Sequence, residues 1–309
     1  MALTLNRELW SADFAKALTE KQDFWTGAKN DSTEVLSYGV INIPQSNTVA
    51  TGGTYVKGTT TLPLTPSAAD ATILSYSPVT YYFAPIYLDN IDAAEYSFNV
   101  MEASLADQLN FMQERIAEKI AYEWTVTSSK NVVRTTGTAR ANKFANASAK
   151  AVTYADIVAL DKALNIQKAP KIGRRLLISE SMYSDLLSIN QIVGVNVFQP
   201  TYDAIVDGKV GRILGFDVYL TTLMASFTSA VAKKAIGASD ANTDLEAAIA
   251  FHPSMVRYGI GSVELGFSPG ALYMSPTDVV NGWGRVGATP NYLTVSNLTN
   301  GIVTLIEAV

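Results

Sequence analysis

Apolar and polar positions divide the chain into stretches of different rhythm. The strongest pattern runs from Asp92 to about Trp124, where no Gly or Pro occurs. There Leu105, Leu109, Met112, Ile116 and Ile120 recur at spacings of three and four, which places them on one face of a helix. Glu114, Arg115, Glu118, Lys119 and Glu123 fall on the other faces, with Lys119 and Glu123 one turn apart. At 1.5 Å per residue such a helix is on the order of 50 Å long, a spine around which other pieces pack.

Ahead of it the pattern is extended. Val35 to Ile43 reads as a strand ended by Pro44. Gly52, Gly53, Gly58, the run Thr59 to Thr61, Pro63 and Pro66 follow, a composition that suggests a long extended hairpin. It has few large apolar side chains for a core of its own, so it needs a partner to lie on. From Tyr76 to Asp89 the stretch is rich in aromatic and β-branched residues, and Pro78 and Pro85 confine it to an edge or a bend. Residues 1–35 scatter Leu9, Trp10, Phe14, Leu18, Phe24 and Trp25 among charges. Their one helical rhythm, from Ser11 to Lys21, is too short to stand alone in water.

Behind the spine, Thr153 can cap a helix to about Lys168 with Asp156 at the capping-box position, and Pro170 stops it. The run Arg174 to Ile178 reads as a buried strand, and Ser179 caps a helix carrying Met182, Tyr183, Leu186 and Leu187. Val210 to Leu220 reads as a strand interrupted by Gly211 and Gly215, and Ala247 to Tyr258 as another strand. From Ala271 onward, short β segments alternate with turns. There is no internal repeat, and the regular β-α alternation of a doubly wound sheet is missing, so the class is α+β.

Composition narrows the function. Among 309 residues, 48% are hydrophobic and only 17% charged, below the usual quarter. Burial of surface against further copies of the chain explains this, as does a neutral Thr/Ser/Asn-covered monomer. The net charge of −5 argues against a general nucleic-acid binder but allows one basic face. The absence of cysteine removes disulfides and thiolate chemistry. No signal peptide and no membrane-length apolar run is evident, so no membrane partner is expected. The sequons at Asn30, Asn146 and Asn297 are then chance matches.

The segment from Trp124 to Ala155 has no Asp or Glu but carries Lys130, Arg134, Arg140, Lys143 and Lys150. It is either a solvated loop with incidental charge or a basic surface facing packaged DNA, which needs only Lys and Arg near phosphates.

Catalytic motifs fail on physical grounds. Gly266 to Gly270 matches a nucleophile elbow, but Pro269 has no N–H for an oxyanion hole, and His252, the single histidine, precedes the serine. Gly282 to Gly287 matches G-x-G-x-x-G, but Pro290 and a β-like segment follow where a helix must start; a glycine-rich turn is expected. His252 beside Pro253 reads as a packed or surface residue. No catalytic residue, cofactor or metal is expected, and no carboxylate pair stands out for acid–base work.

In order and layout the chain resembles the major capsid proteins of tailed bacteriophages, the HK97-type fold. The matching pieces are an N-terminal arm (1–35), an extended loop (36–75), a peripheral domain with the spine helix (76–149), an axial domain (150–270) and a β-rich return to the peripheral domain (271–309). Gly211, Gly215 and Val218 look like the Gly-x-x-x-Gly-x-x-Val strand common in these proteins. The resemblance implies a structural protein and not an enzyme. It would assemble with itself into pentamers and hexamers, forming an icosahedral shell around double-stranded DNA. Portal, scaffolding or decoration proteins would be further partners. The destination would be the virion, after assembly in the host cytoplasm. Arm and loop would lie on neighbouring subunits, making Trp10, Phe14, Trp25, Tyr55 and Lys57 expected intersubunit contacts. With the arm beginning at once, a separate scaffold or none is expected. Lys57 and Asn281 are a conceivable cross-linking pair, without a visible supporting pocket. Three alternatives remain open: an encapsulin-like nanocompartment shell, an enzyme with an unrecognised carboxylate site, and a secreted adhesin or other tail-type binding protein, which should be richer in β-structure and lack the long helix.

Overall fold

A computed structural model describes residues 24–33, 39–46, 57, 71–89, 99–193, 198–200, 209–268, 277–290 and 301–309. The strands are β1 (Lys29–Asn30), β2 (Ile41–Ser46), β3 (Ala71–Tyr76), β4 (Val79–Asp89), β5 (Val132–Arg134), β6 (Arg175–Ile178), β7 (Phe198–Pro200), β8 (Lys209–Ile213), β9 (Phe216–Leu220), β10 (Ala247–Phe251), β11 (Val256–Ser268), β12 (Thr277–Pro290) and β13 (Ile302–Ile306). The helices are α1 (Asn99–Trp124), α2 (Tyr154–Ile166) and α3 (Glu180–Val193).

Among the described residues the strands form three sheets. One has the order β1-β11-β12-β4, a second β5-β13-β10-β6-β9-β8-β7, and β2 pairs with β3 alone. The α+β class and the spine helix are as expected. Residues 92–98, which the sequence pattern adds to the helix, lie outside the described set. Met112, Ile116 and Ile120 are fully buried on the predicted face, and Leu109 packs beside them.

The spine helix lies over β12 and β4 and ends at Trp124, which is fully buried. The Trp124 indole N–H donates to the Arg257 carbonyl at 3.0 Å, and its ring packs at 5.2 Å from Phe251. Phe251 belongs to β10 of the other sheet, so one side chain joins both. On the opposite face of the seven-stranded sheet, α2 and α3 pack Leu160, Leu164 and Leu186 against Leu176, Val218 and Ala250. Being covered on both faces, β10 and β13 are buried at every position. That is why AAIAF is a continuous apolar run and IVTLI is broken only by Thr304, whose hydroxyl accepts from the Val126 N–H at 3.0 Å. Each fully buried large side chain there contributes roughly 1.5–3 kcal/mol.

Local signals behave as the sequence predicts at several ends. Thr153 accepts from the Asp156 N–H while the Asp156 carboxylate accepts from the Thr153 N–H, a complete capping box on α2. Beyond the end of α2, Arg174 is 2% exposed. It is held by Asp161, Asn165 and the carbonyls of Ala169 and Pro170 at 2.5 to 2.9 Å, pinning the helix end to β6. By contrast, Val210 to Leu220 is not one interrupted strand but a hairpin, because Leu214 (φ 46) and Gly215 (φ 85) turn β8 back into β9, the conformation that two-residue hairpins require.

Four further expectations need correction. Pro44 does not end its strand: β2 runs Ile41–Ser46 with Pro44 opposite Ile73, tolerated because β2 is paired on one side only. The Ala247–Tyr258 strand is two strands in different sheets, broken by the 3-10 turn Pro253–Met255. The stretch from Ala271 on is not a string of short segments, because β12 alone has 14 residues. Gly282 to Gly287 lies inside β12 and is neither a turn nor a helix start. A Cβ at Gly287 would come within 2.8 Å of the Tyr76 ring, so that glycine serves a close strand–ring approach.

The sheets also cross the expected domain boundaries. β11 (from 150–270) pairs with β12 (from 271–309), whereas β13, in the same final segment, joins the seven-stranded sheet. β5, from 76–149, pairs with β13.

Candidate functional site

The residues singled out from sequence do not converge on one pocket. Trp10, Phe14 and Tyr55 lie outside the described residues, and Lys57 is exposed in a turn. Trp25, expected at a contact between copies, is 3% exposed in the subunit's own core. Phe24 meets Trp25 edge-on at 4.7 Å and Trp124 at 5.9 Å, and Tyr258 lies 6.3 Å from Trp25. The cause is β1, which pairs in parallel with β11 and is anchored by polar groups. Asp31 donates its N–H to the Tyr258 carbonyl at 2.8 Å. Its carboxylate meets Arg257 at 3.2 Å and accepts from the Tyr76 hydroxyl at 3.0 Å.

The basic residues of 124–155 separate into two kinds. Lys130 and Lys143 are exposed, Lys143 lying 4.8 Å over the Phe144 ring. Lys150 is half-buried and its main chain bridges Ala139 and Ala308. Arg134, on β5, is half-buried, and its Nη1 is buried without a hydrogen-bond partner. Burial lowers its pKa from the usual guanidinium value.

Arg140 is not a surface cation. Its Nε and Nη2 donate to the Asp185 carboxylate at 2.7 to 2.9 Å, and its Nη1 lies 3.0 Å from Glu307 Oε1. Burial lowers its pKa, but the Asp185 hydrogen bonds and the charges of Asp185, Glu307 and Glu246 more than reverse this and hold it above the ordinary value. The guanidinium is therefore occupied internally and unavailable to a phosphate.

The surroundings of Arg140 form a buried ionic network that the sequence pattern does not reveal. Glu307 is 0% exposed, and its Oε2 accepts from Asn142 Nδ2 at 2.6 Å and from the Glu246 N–H at 2.9 Å. Glu246, 1% exposed, accepts from the Ser179 hydroxyl at 3.0 Å. Burial raises the Glu307 carboxyl above its usual range, and the charge of Glu246 adds to this, against the hydrogen bonds from Asn142 and the Glu246 N–H and the charge of Arg140, which lower it.

At the other end of the same region, Lys233 donates to the Tyr122 and Thr125 carbonyls at the end of α1 and lies 3.6 Å over the Tyr122 ring. Burial, only partly offset by Glu123, lowers its pKa to about 8.

The remaining chemistry is sparse. His252 Nδ1 pairs with the Ser254 hydroxyl at 2.7 Å and accepts from the Ser254 N–H, while Nε2 lies 3.0 Å from the Ile172 carbonyl. The ring caps a 3-10 turn, and its second nitrogen is spent on a carbonyl rather than on an orienting carboxylate. Among the described residues no cluster of three or more His, Asp or Glu side chains could hold a metal ion, and no helix is long and apolar enough to cross a membrane.

Among the described residues several large apolar side chains stand exposed beside the polar ones. Ile172 is 87% exposed, Tyr82 78%, Ile166 69% and Ile73 68%. Tyr82 stands on β4, the edge strand of its sheet, and Ile73 on the β2-β3 pair, so these side chains are carried by elements with open edges.

No family model matches the chain, and no curated protein matches it in sequence. Solved structures do match its fold. The capsid of Cyanophage P-SCSP1u aligns with a TM-score of 0.63 at 14% identity, covering 99% of this chain and 90% of that one. The capsid of Ralstonia phage GP4 gives 0.63 at 7% identity, covering 99% and 93%. A structure from Mycobacterium phage Che8 gives 0.58 at 15% identity, covering 92% and 91%. The fold is thus that of phage capsid structures, an HK97-like α+β fold. The likeness spans nearly the whole chain on both sides. Identities this low carry the fold and not the roles of individual residues.

Proposed function

We propose that the chain is the shell-forming major capsid protein of a tailed bacteriophage. Copies assemble through pentamers and hexamers into an icosahedral shell that encloses double-stranded DNA, in a virion built in the host cytoplasm. The observation that carries this reading is the likeness to phage capsid structures over 99% of this chain and at least 90% of theirs. The exposed Tyr82 on the edge strand β4 and Ile73 on the β2-β3 pair support it, because edge strands that carry exposed apolar side chains are places where another copy can add. In a closed shell such contacts are heterologous and repeat around symmetry axes.

Within this reading, Lys130, Arg134, Lys143 and Lys150 are the cations left for DNA on the acid-free segment, with Arg140 spent on Asp185 and Glu307. Contact of this kind needs phosphates and no base sequence. Portal, scaffolding and decoration proteins are the further partners. The shell is a scaffold and not a catalyst, in keeping with a His252 that caps a turn.

The test is light scattering of the purified full chain, alone and with a scaffold partner, followed by nuclease treatment and extraction of the contents. The reading predicts particles of megadalton mass that protect nucleic acid. Particles that protect only protein cargo would move the assignment to a nanocompartment shell. A monomer under every condition would remove the shell reading.

A further inference from the structure

The helix α2 has two apolar sides. Ile157, Leu160 and Leu164 fill the core beneath it. Tyr154, Val158, Lys162 and Ile166 are four apart and form a second stripe along the helix. On this stripe Tyr154 is 41% exposed, Val158 42% and Ile166 69%. Ile172, the most exposed large apolar side chain among the described residues, stands in the turn that follows.

That turn is held from both sides. The buried Arg174 guanidinium reaches back to Asp161, Asn165 and the Ala169 and Pro170 carbonyls, tying the turn to the end of α2. His252 Nδ1 accepts from the Ser254 N–H, so its proton sits on Nε2 and is donated to the Ile172 carbonyl at 3.0 Å. Gly173 (φ 83) supplies the bend. Ile172 is thus presented on fixed main chain, which lowers the ordering cost of docking it.

Charge on this face has one sign. Lys162, Lys168 and Lys171 are exposed. The two carboxylates of α2 are engaged internally: Asp156 in the capping box and with Thr136, Asp161 with Arg174 and Asn165. The chain carries −5 in total, so setting these three cations aside leaves −8 for the remainder. Contact with a phosphate backbone runs through polar donors and gives no reason for apolar side chains along the same stripe. An exposed apolar patch with a charged rim is the pattern of a protein contact.

We propose that the outer stripe of α2, together with the turn 167–173, is a docking surface for a second copy of this chain, which meets it with an acidic part of its own surface. Ile166 and Ile172 are the anchors, Val158 and Tyr154 extend the dry strip, and the three lysines form the rim. A second copy is the fitting occupant because it brings the excess negative charge and is the neighbour that a shell supplies. The two faces differ, so the contact is heterologous, and each copy docks while being docked upon. This contact rests on the shell reading and assigns it a particular face.

The experiment uses the purified full chain under conditions that assemble the wild type. Because the chain has no cysteine, Ile172→Cys carries a benzophenone photocrosslinker at a single place. Isotopically light copies bearing the probe are mixed with heavy wild-type copies, assembled and irradiated, and the linked peptides are identified by mass spectrometry. The expected result is light-to-heavy links that land on peptides containing Asp or Glu. Links confined to the light chain itself, or only to a scaffold protein or to nucleic acid, would overturn the proposal. A second test needs no probe. Lys162→Glu combined with Lys171→Glu changes two exposed positions, so the urea midpoint should stay close to wild type. Particle yield by light scattering should fall by about tenfold or more, since like charges then face each other across the contact. An unchanged yield would overturn this contact and leave the shell reading intact, whereas a wild type that never associates would remove both.

Discussion

The core around the spine helix and the joint beneath residues 135–153 hold the same subunit by different physics. At the first, Trp124, Phe251, Met112, Ile116 and Ile120 exclude water with one main hydrogen bond to satisfy, from the Trp124 indole to Arg257. At the second, few apolar side chains take part. Asn142, Asn146, Arg140, Asp185, Glu246 and Glu307 bond to one another and to nearby main chain, and Glu246 Oε1 is left buried without a hydrogen-bond partner. An apolar core degrades gradually when trimmed. A buried ionic joint fails when a single partner is removed, since the others are left charged and unpaired.

That contrast can be broken in order of expected effect. Trp124→Ala removes a fully buried ring shared by two sheets and should cost about 3–5 kcal/mol in urea unfolding. Arg140→Met keeps the length of the side chain but strands Asp185 and Glu307. It should cost about 3 kcal/mol or more, with the loss concentrated in the loop 135–153 by hydrogen exchange. If Arg140 faced DNA instead, the same variant would leave unfolding unchanged and weaken only packaging.

Lys233 sharpens the comparison at the helix end. Its folded pKa, about 8, lies below the ordinary 10.5, so the unfolded chain binds the proton more tightly between those values. Its contribution to stability therefore rises as pH climbs from 8 toward 10.5, and Lys233→Met should remove that part of the pH profile. Thr153→Ala takes away one half of the capping box and should cost about 1 kcal/mol. Smallest for the isolated subunit is Tyr82→Ser, within about 0.5 kcal/mol at a 78% exposed position. Its effect should appear instead as fewer assembled particles by light scattering.

The apolar half of this architecture is legible in the sequence. The three-and-four spacing from Leu109 to Ile120 marks the buried face of α1, and Thr153 with Asp156 marks the start of α2. The continuous run around Ala247 to Phe251 marks a strand covered on both sides, although nothing in it shows that the chain changes sheets at Pro253. Trp25 reads as an arm residue bound for a neighbouring copy because Tyr258, which it meets in its own subunit, is more than two hundred positions away. The ionic joint is hidden for the same reason. Arg140, Asp185, Glu246 and Glu307 look like four ordinary scattered charges until β10 and β13 pair and bring two of them side by side. The acid-free stretch does signal a special environment, but its acids are supplied from elsewhere in the chain.

The central claim is that this subunit exists to close a shell with its own copies. Negative-stain electron microscopy of the purified protein tests it most directly. The account predicts uniform closed particles, or sheets and rings of five and six subunits. A well-folded, strictly monomeric protein with Tyr82 and Ile73 still open to solvent, even with scaffold supplied, would contradict it.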